Sequence, residues 1–255
     1  MHNPVMMVGI GEMAGVFARG LLRSGYPVYP VTRDMSVENA AAKMPEPELV
    51  VISVGESDIH QVLAEIPLAW RNRLVLLQNE LLPRDWQAVE LDHPTVISVW
   101  FEKKKGQEAK VLISSPIYGE HSKIIETALA KVDIPSHAVP TEADMAYELV
   151  RKNVYILTTN IAGLRTGGNV AELWRDHQSL AQAVASDVMD IQEYLVGHKV
   201  ERERLIAGML EAFDGDPQHN CMGRSAPVRL RRALSLADEA KLSVPSLRDI
   251  AAKHL

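Results

Sequence analysis

Two groups of residues in this sequence have the types and spacing to do chemistry. The first is Gly9-Ile10-Gly11-Glu12-Met13-Ala14. Two glycines and a small residue at this spacing make a turn whose backbone N–H groups can face a phosphate. Gly9 permits the tight turn, Gly11 lets a pyrophosphate approach the main chain, and Ala14 allows close packing of helix on strand. Glu12 opposes this chemistry, because a carboxylate repels a pyrophosphate unless it points to solvent. The second group is Lys152 and Asn160, eight residues apart and so broadly on one side of a helix. An ammonium can polarise a carbonyl oxygen and deliver a proton to it as hydride reaches the carbon, and an amide can orient the same oxygen or a nearby hydroxyl. Both residues also have plainer readings. A lysine on a helix is commonly solvated, and an asparagine there can be a buried, hydrogen-bonded helix residue.

The elements around the glycines are those the first reading needs. Val5 to Val8 is a short buried-strand run, and Val16, Phe17, Leu21 and Leu22 recur at helical spacing after Ala14. Gly25 closes that helix and Val28 to Thr32 is the next strand. Strand, glycine turn, helix and strand in one unit form the context of a dinucleotide fingerprint. The alternative is an ordinary strand–helix turn that uses glycine only for tightness. The end of the second strand selects the cofactor, since an acid there binds the ribose 2′-hydroxyl of NAD and an arginine accommodates the 2′-phosphate of NADP. The strand ends Thr32-Arg33-Asp34, with Arg33 24 residues beyond Gly9. A guanidinium's planar fork suits phosphate, so the reading is NADP. A small register shift would give Asp34 the NAD role. Pro30 is out of place in an interior strand, because it cannot donate to the ladder.

Further along, the apolar runs Glu48–Val54, Leu74–Leu77 and Thr95–Val99 read as strands covered on both faces. Val37–Lys43 and Ser57–Ile66 read as helices between them. This alternation predicts an α/β fold, a Rossmann-type doubly wound sheet. Lys103-Lys104-Lys105-Gly106 separates two β-rich runs, Val96–Phe101 and Lys110–Ser114, and predicts a hairpin with a solvated basic turn; the alternative is a phosphate-binding role for those lysines. Glu120–Val132 is a helix and Pro135–Val139 a last short strand. From Thr141 strand signals almost vanish. Helices are predicted over Ala143–Leu164, Gln178–Gly197, Arg202–Phe213, Val228–Lys241 and Ser246–His254, with turn residues between them. The expected domains are therefore 1–141, nucleotide-binding, and 142–255, all-helical, with substrate in the cleft between them.

Composition bounds the function. The chain has 255 residues, 47% of them hydrophobic, which is ample for a packed core, and a formal net charge of −6, which gives nucleic acid no basic footprint. The single cysteine, Cys221, excludes an internal disulfide framework, fits a reducing compartment and reads as an ordinary apolar thiol. No metal-ligand pattern stands out. The N-terminal residues lack the basic and long apolar regions of a secretory signal. No window approaches 18 uninterrupted apolar residues, so no membrane span is implied. A cytoplasmic location is expected.

Taken together, these residues resemble the ketopantoate reductases (2-dehydropantoate 2-reductases) over nearly the whole length. The similarity lies in the Gly9/Gly11 turn, Arg33 at its spacing, Gln78-Asn79 after the fourth strand and the Lys103–Gly106 hairpin. It continues in Tyr147-Glu148 before Lys152, Arg231-Arg232-Ala233, and Leu242-Ser243-Val244-Pro245. The resemblance implies reduction of a small 2-oxo acid by NADPH, with Lys152 as proton donor and Asn160 as a substrate-binding asparagine. It places Asn79 near the nicotinamide and implies a homodimer through the helical domain. The chain also departs from the family. Glu80 stands where glycine usually follows that asparagine, and Gly55 or Glu56 replaces a lysine after the third strand. The family's substrate-binding glutamate falls on Ser225 or Pro227, neither of them acidic, so Ser225 is the candidate substrate contact. The β-hydroxyacid dehydrogenases share the fingerprint style, but their catalytic lysine lies in a glycine-rich helix start, and Met145–Arg151 contains no glycine. Two other functions stay open: a non-catalytic NADPH-binding sensor, which the missing acid and Glu80 favour, and an α/β protein without nucleotide.

Overall fold

A computed structural model describes residues 2–255. The chain divides into two compact units, one ending at Leu149 and one spanning Val150–Leu255. The strands are β1 (Val5–Val8), β2 (Val28–Val31), β3 (Leu49–Ile52), β4 (Leu74–Leu76), β5 (Thr95–Ile97), β6 (Phe101–Glu102), β7 (Lys110–Val111), β8 (Ser115–Tyr118) and β9 (Ser136–Ala138). Seven of them form one sheet in the order β2-β1-β3-β4-β5-β8-β9. β1 to β5 pair in parallel, β8 is antiparallel to β5, and β9 is parallel to β8. This is the Rossmann-type sheet expected, and its central strands β1, β3 and β4 are buried at every position.

Helices of the first unit are α1 (Glu12–Arg23), α2 (Val37–Lys43), α3 (Ile59–Glu65), α4 (Pro83–Gln87) and α5 (Ser122–Ala130). Phe17 and Leu21 of α1 and Ile125, Ala128 and Leu129 of α5 share one buried cluster with Val5, Val51 and Ile97 of the sheet. That cluster fixes α1, and so fixes the turn that precedes it.

Three features differ from the sequence reading. Pro30 lies on β2, which is the edge of the sheet, where a missing N–H removes no central hydrogen bond. The expected long hairpin is two separate pairings. Phe101–Glu102 pairs with Lys110–Val111, while β5 pairs with β8. β8 itself, Ser-Pro-Ile-Tyr, carries too few apolar residues and a proline, and so gives no strand signal.

The second unit contains most of α6 (Glu142–Thr166), then α7 (Val170–Asp176), α8 (Gln178–Val196), α9 (Arg202–Gly215), α10 (Ala226–Glu239) and α11 (Pro245–His254). It is all-helical, as expected. The unit division falls within α6, about two turns past the boundary expected near residue 141. α7 is additional. Its start is a capping box: Asn169 Oδ1 accepts from the Glu172 N–H at 2.9 Å, and Glu172 Oε2 accepts from the Asn169 N–H at 3.0 Å. Among the described residues no helix is long and apolar enough to cross a membrane, and no cluster of His, Cys, Asp or Glu could hold a metal ion.

Candidate functional site

The glycine turn is pinned between two strands. Gly9 has φ +85°, and a Cβ there would lie 2.9 Å from the Ser53 carbonyl oxygen. Only glycine fits that conformation and that space. The Gly9 N–H donates to Val31 at the end of β2, at 3.0 Å. From the end of β3, the Ser53 N–H donates to Val8 at 2.8 Å and its hydroxyl donates to the Gly9 carbonyl at 2.7 Å. The turn therefore sits where the strand order reverses, which is where open α/β sheets bind ligands.

Gly11 is the residue before α1, in extended conformation, and no side chain caps the helix. A Cβ at Gly11 would find nothing within 4 Å. The first-turn N–H groups of α1 thus open outward with no partner inside the helix. Ile10, Gly11 and Glu12 are exposed, Met13 is half-buried against the core, and Ala14 is buried. A cavity of about 410 Å³ beside the turn is lined by Ile10, Gly11, Glu12, Gly15, Arg19 and Lys103, among others. Glu12 does not stand alone in it, since its Oε2 lies 3.3 Å from Lys103 Nζ.

The other candidates of this unit lie at the same, carboxyl edge of the sheet. Thr32 and Arg33 follow β2. Thr32 accepts from the Met35 N–H at 3.0 Å. The Arg33 side chain is 91% exposed, and its Nη2 is 3.8 Å from Asp58 Oδ2, a surface contact of little energy that leaves the guanidinium free to turn. After β4, buried Gln78 donates to the Ile52 carbonyl at 2.7 Å and holds the loop to β3. Asn79 then donates its amide to Glu56 Oε1 at 3.1 Å. Glu80 has φ +64°, so the backbone keeps a conformation that favours glycine although a glutamate occupies it.

The second unit holds the other candidates. Lys152 is buried on α6, with Nζ 5.4 Å from the centroid of the Tyr155 ring. Asn160 is buried two turns on, and both ends of its amide are engaged. Its oxygen accepts from Arg229 Nη1 at 2.9 Å, and its nitrogen donates to the Cys221 carbonyl at 3.2 Å. Nearby polar residues of α6 also bond within the unit. Arg151 donates to the Gly208 carbonyl and to Glu211, and Asn153 donates to Gln192. Ser225 precedes α10, is exposed, and makes no cap bond. Cys221 is buried, and that burial, followed by the Glu172 charge, pushes its thiol up to about 12.

Ser53 and Arg229 escaped the sequence reading as site residues, while Lys103 entered it only as part of the basic hairpin and Glu56 only as a replacement for a family lysine. Arg229 did leave a signal. It occupies a buried position in the helical row of Ala226, Leu230, Ala233 and Ala237, where a charged residue is out of pattern.

No family model matches the sequence, and no curated protein matches it. Solved structures do match. A 2-dehydropantoate 2-reductase from Methylococcus capsulatus superposes with a TM-score of 0.69 at 12% identity, covering 98% of this chain and 94% of that one. A PanE/ApbA family ketopantoate reductase from Ralstonia eutropha JMP134 gives 0.68 at 14% identity, covering 98% and 96%. The fold is that of the ketopantoate reductases. A D-mandelate dehydrogenase solved with NADH has the same fold, with a TM-score of 0.67 at 12% identity and coverage of 98% and 96%. At these identities the ketopantoate reductase fold is what the proteins share.

Proposed function

We propose that this protein is an NADPH-dependent reductase of a small 2-oxo acid. The observation that carries the reading is the turn at Gly9–Ala14, built at the strand-order reversal, uncapped at α1 and open over Gly11. The shared fold, with relatives named as ketopantoate reductases and as a mandelate dehydrogenase holding NADH, supports a pyridine nucleotide there. Gly9, Ile10, Gly11, Glu12, Met13 and Ala14 would hold the pyrophosphate, Thr32 and Arg33 the adenosine end, and Asn79 the nicotinamide end. The residues fit such a ligand. An extended, uncapped Gly11 leaves backbone donors facing out, and exposed Arg33 can reach a 2′-phosphate. When bound, the nicotinamide supplies the hydride.

The chain's own part in the chemistry falls to α6. Lys152 is largely buried, with its Nζ 5.4 Å from the centroid of the Tyr155 ring, a face that attracts a cation. It would donate its proton to the oxygen of the 2-oxo group, Asn160 would help position the acid, and Ser225 would contact it. The test is nucleotide oxidation followed at 340 nm across a panel of 2-oxo acids, ketopantoate first. Lys152→Ala should lose at least about a hundredfold in kcat, the usual worth of a positioned general acid, while NADPH affinity stays unchanged. Equal turnover by wild type and variant would remove Lys152 from the reaction.

A second reading, an NADPH-binding protein without turnover, draws on two observations. The Asn160 amide is committed to Arg229 and Cys221, and the Asn79 amide to Glu56. Turnover of any member of the panel would exclude it.

A further inference from the structure

The basic hairpin reads from sequence as a solvated turn, but one of its lysines is placed more specifically. The Lys103 side chain is only 19% exposed, and its Nζ lies 3.3 Å from Oε2 of Glu12. A second bond from the same Nζ, to the Lys104 carbonyl at 2.9 Å, fixes the ammonium in place. Lys104 turns elsewhere, to Glu102 at 2.9 Å, and Lys105 is exposed. One lysine of three therefore reaches the start of α1, from an element far away in sequence.

The place it reaches is the one the nucleotide reading finds awkward. Glu12 sits in the first turn of α1, among N–H groups that no side chain caps. Lys103 and Glu12 face the same cavity of about 410 Å³ as Gly11 and Gly15. A bare carboxylate there would repel a diphosphate at a few ångströms, in a half-exposed setting where such a contact shifts affinity about tenfold. Arg19, also on the cavity wall, has its own carboxylate in Glu108 at 3.7 Å.

We propose that Lys103 is the counter-charge that makes the glycine turn able to accept a dinucleotide: it pairs with Glu12, so the diphosphate meets open N–H groups and a neutral pair instead of a carboxylate. The hairpin of β6 and β7 is then a working part of the nucleotide site. This inference rests on the reading of Gly9–Ala14 as that site.

The test is calorimetric titration of the full chain with NADPH, in four forms: wild type, Glu12→Gln, Lys103→Met and the double variant. Lys103→Met should weaken binding about tenfold in the wild-type background, the order of one charge contact near a surface. In the Glu12→Gln background the same change should cost less than twofold, and Glu12→Gln alone should bind at least as tightly as wild type. A lysine that merely braces the hairpin would lower the melting temperature and show no such dependence on Glu12. Equal loss in both backgrounds, or no loss with Glu12 present, overturns the proposal while the nucleotide site stands. Failure of the wild type to bind overturns the nucleotide reading itself. If Lys103→Met does not fold, Lys103→Gln keeps the stem packing and gives the same comparison.

Discussion

The glycine turn of the first unit and the polar row of α6 in the second carry the same kinds of group, yet they use them in opposite ways. At the turn, donors are left open. Gly11 has empty space where a side chain would be, α1 has no cap, and Arg33 is 91% exposed. Along α6, three polar side chains close on the protein itself, Arg151 on Gly208 and Glu211, Asn153 on Gln192, and Asn160 on Cys221 and Arg229, while the buried Thr158 hydroxyl has no partner. Buried polar groups must be paired or they cost 1–3 kcal/mol each, so a closed network holds helices together and an open one waits for a partner. The first unit therefore argues for a nucleotide more strongly than the second argues for a given substrate.

The largest effect that would sharpen this contrast belongs to Gly11→Val. A side chain would enter open space, so the melting temperature should not move, while NADPH affinity falls about a hundredfold through lost charge-assisted bonds to the phosphates. A fall in stability with affinity preserved would break the contrast from the turn side. Asn160→Ala comes next. It leaves Arg229 Nη1 and the Cys221 carbonyl without this partner and should cost about 2 kcal/mol in denaturant unfolding. If stability is unchanged, the bonds from Asn160 to Arg229 and Cys221 do not hold the helices together and the contrast fails from the other side.

Arg33→Ala should reduce the preference for NADPH over NADH by about tenfold, the order of one charged contact to phosphate. As an exposed residue it should leave thermal stability unaltered. The smallest expected effect is at Cys221. Its folded value, about 12 against an ordinary 9.0, keeps the thiol neutral through pH 8. The stability linked to that shift is fully present below 9 and is lost progressively as pH rises from there through about 12. Native protein at pH 8 should not react with a disulfide reagent in minutes, and denaturant should release one fast equivalent. Rapid native labelling would show the Asn160–Cys221 contact to be loose.

Much of this was legible in the sequence, for reasons visible residue by residue. β1, β3 and β4 are continuous apolar runs because helices cover both faces of the sheet, and such runs are hard to mistake. Gly9 could be read because only glycine tolerates both its φ and the Ser53 carbonyl. Long contacts could not be read. Nothing near Lys103 announces Glu12, and nothing near Glu56 announces Asn79, because side-chain pairing across a fold leaves no local period. Strand β8 was invisible for a related reason, since a four-residue strand with a proline is defined by its neighbours β5 and β9. The helix α7 could have been found from Asn169 and Glu172, whose spacing is that of a capping box.

One titration bears most directly on the whole account. Wild-type protein should be titrated calorimetrically with NADPH and then with NADH. Saturable one-to-one binding of NADPH, at least tenfold tighter than NADH, is the predicted result and would assign the open turn and Arg33 to that nucleotide. Absence of binding for either would mean that the turn is only a tight connection between strand and helix, and the reductase reading would fall with it.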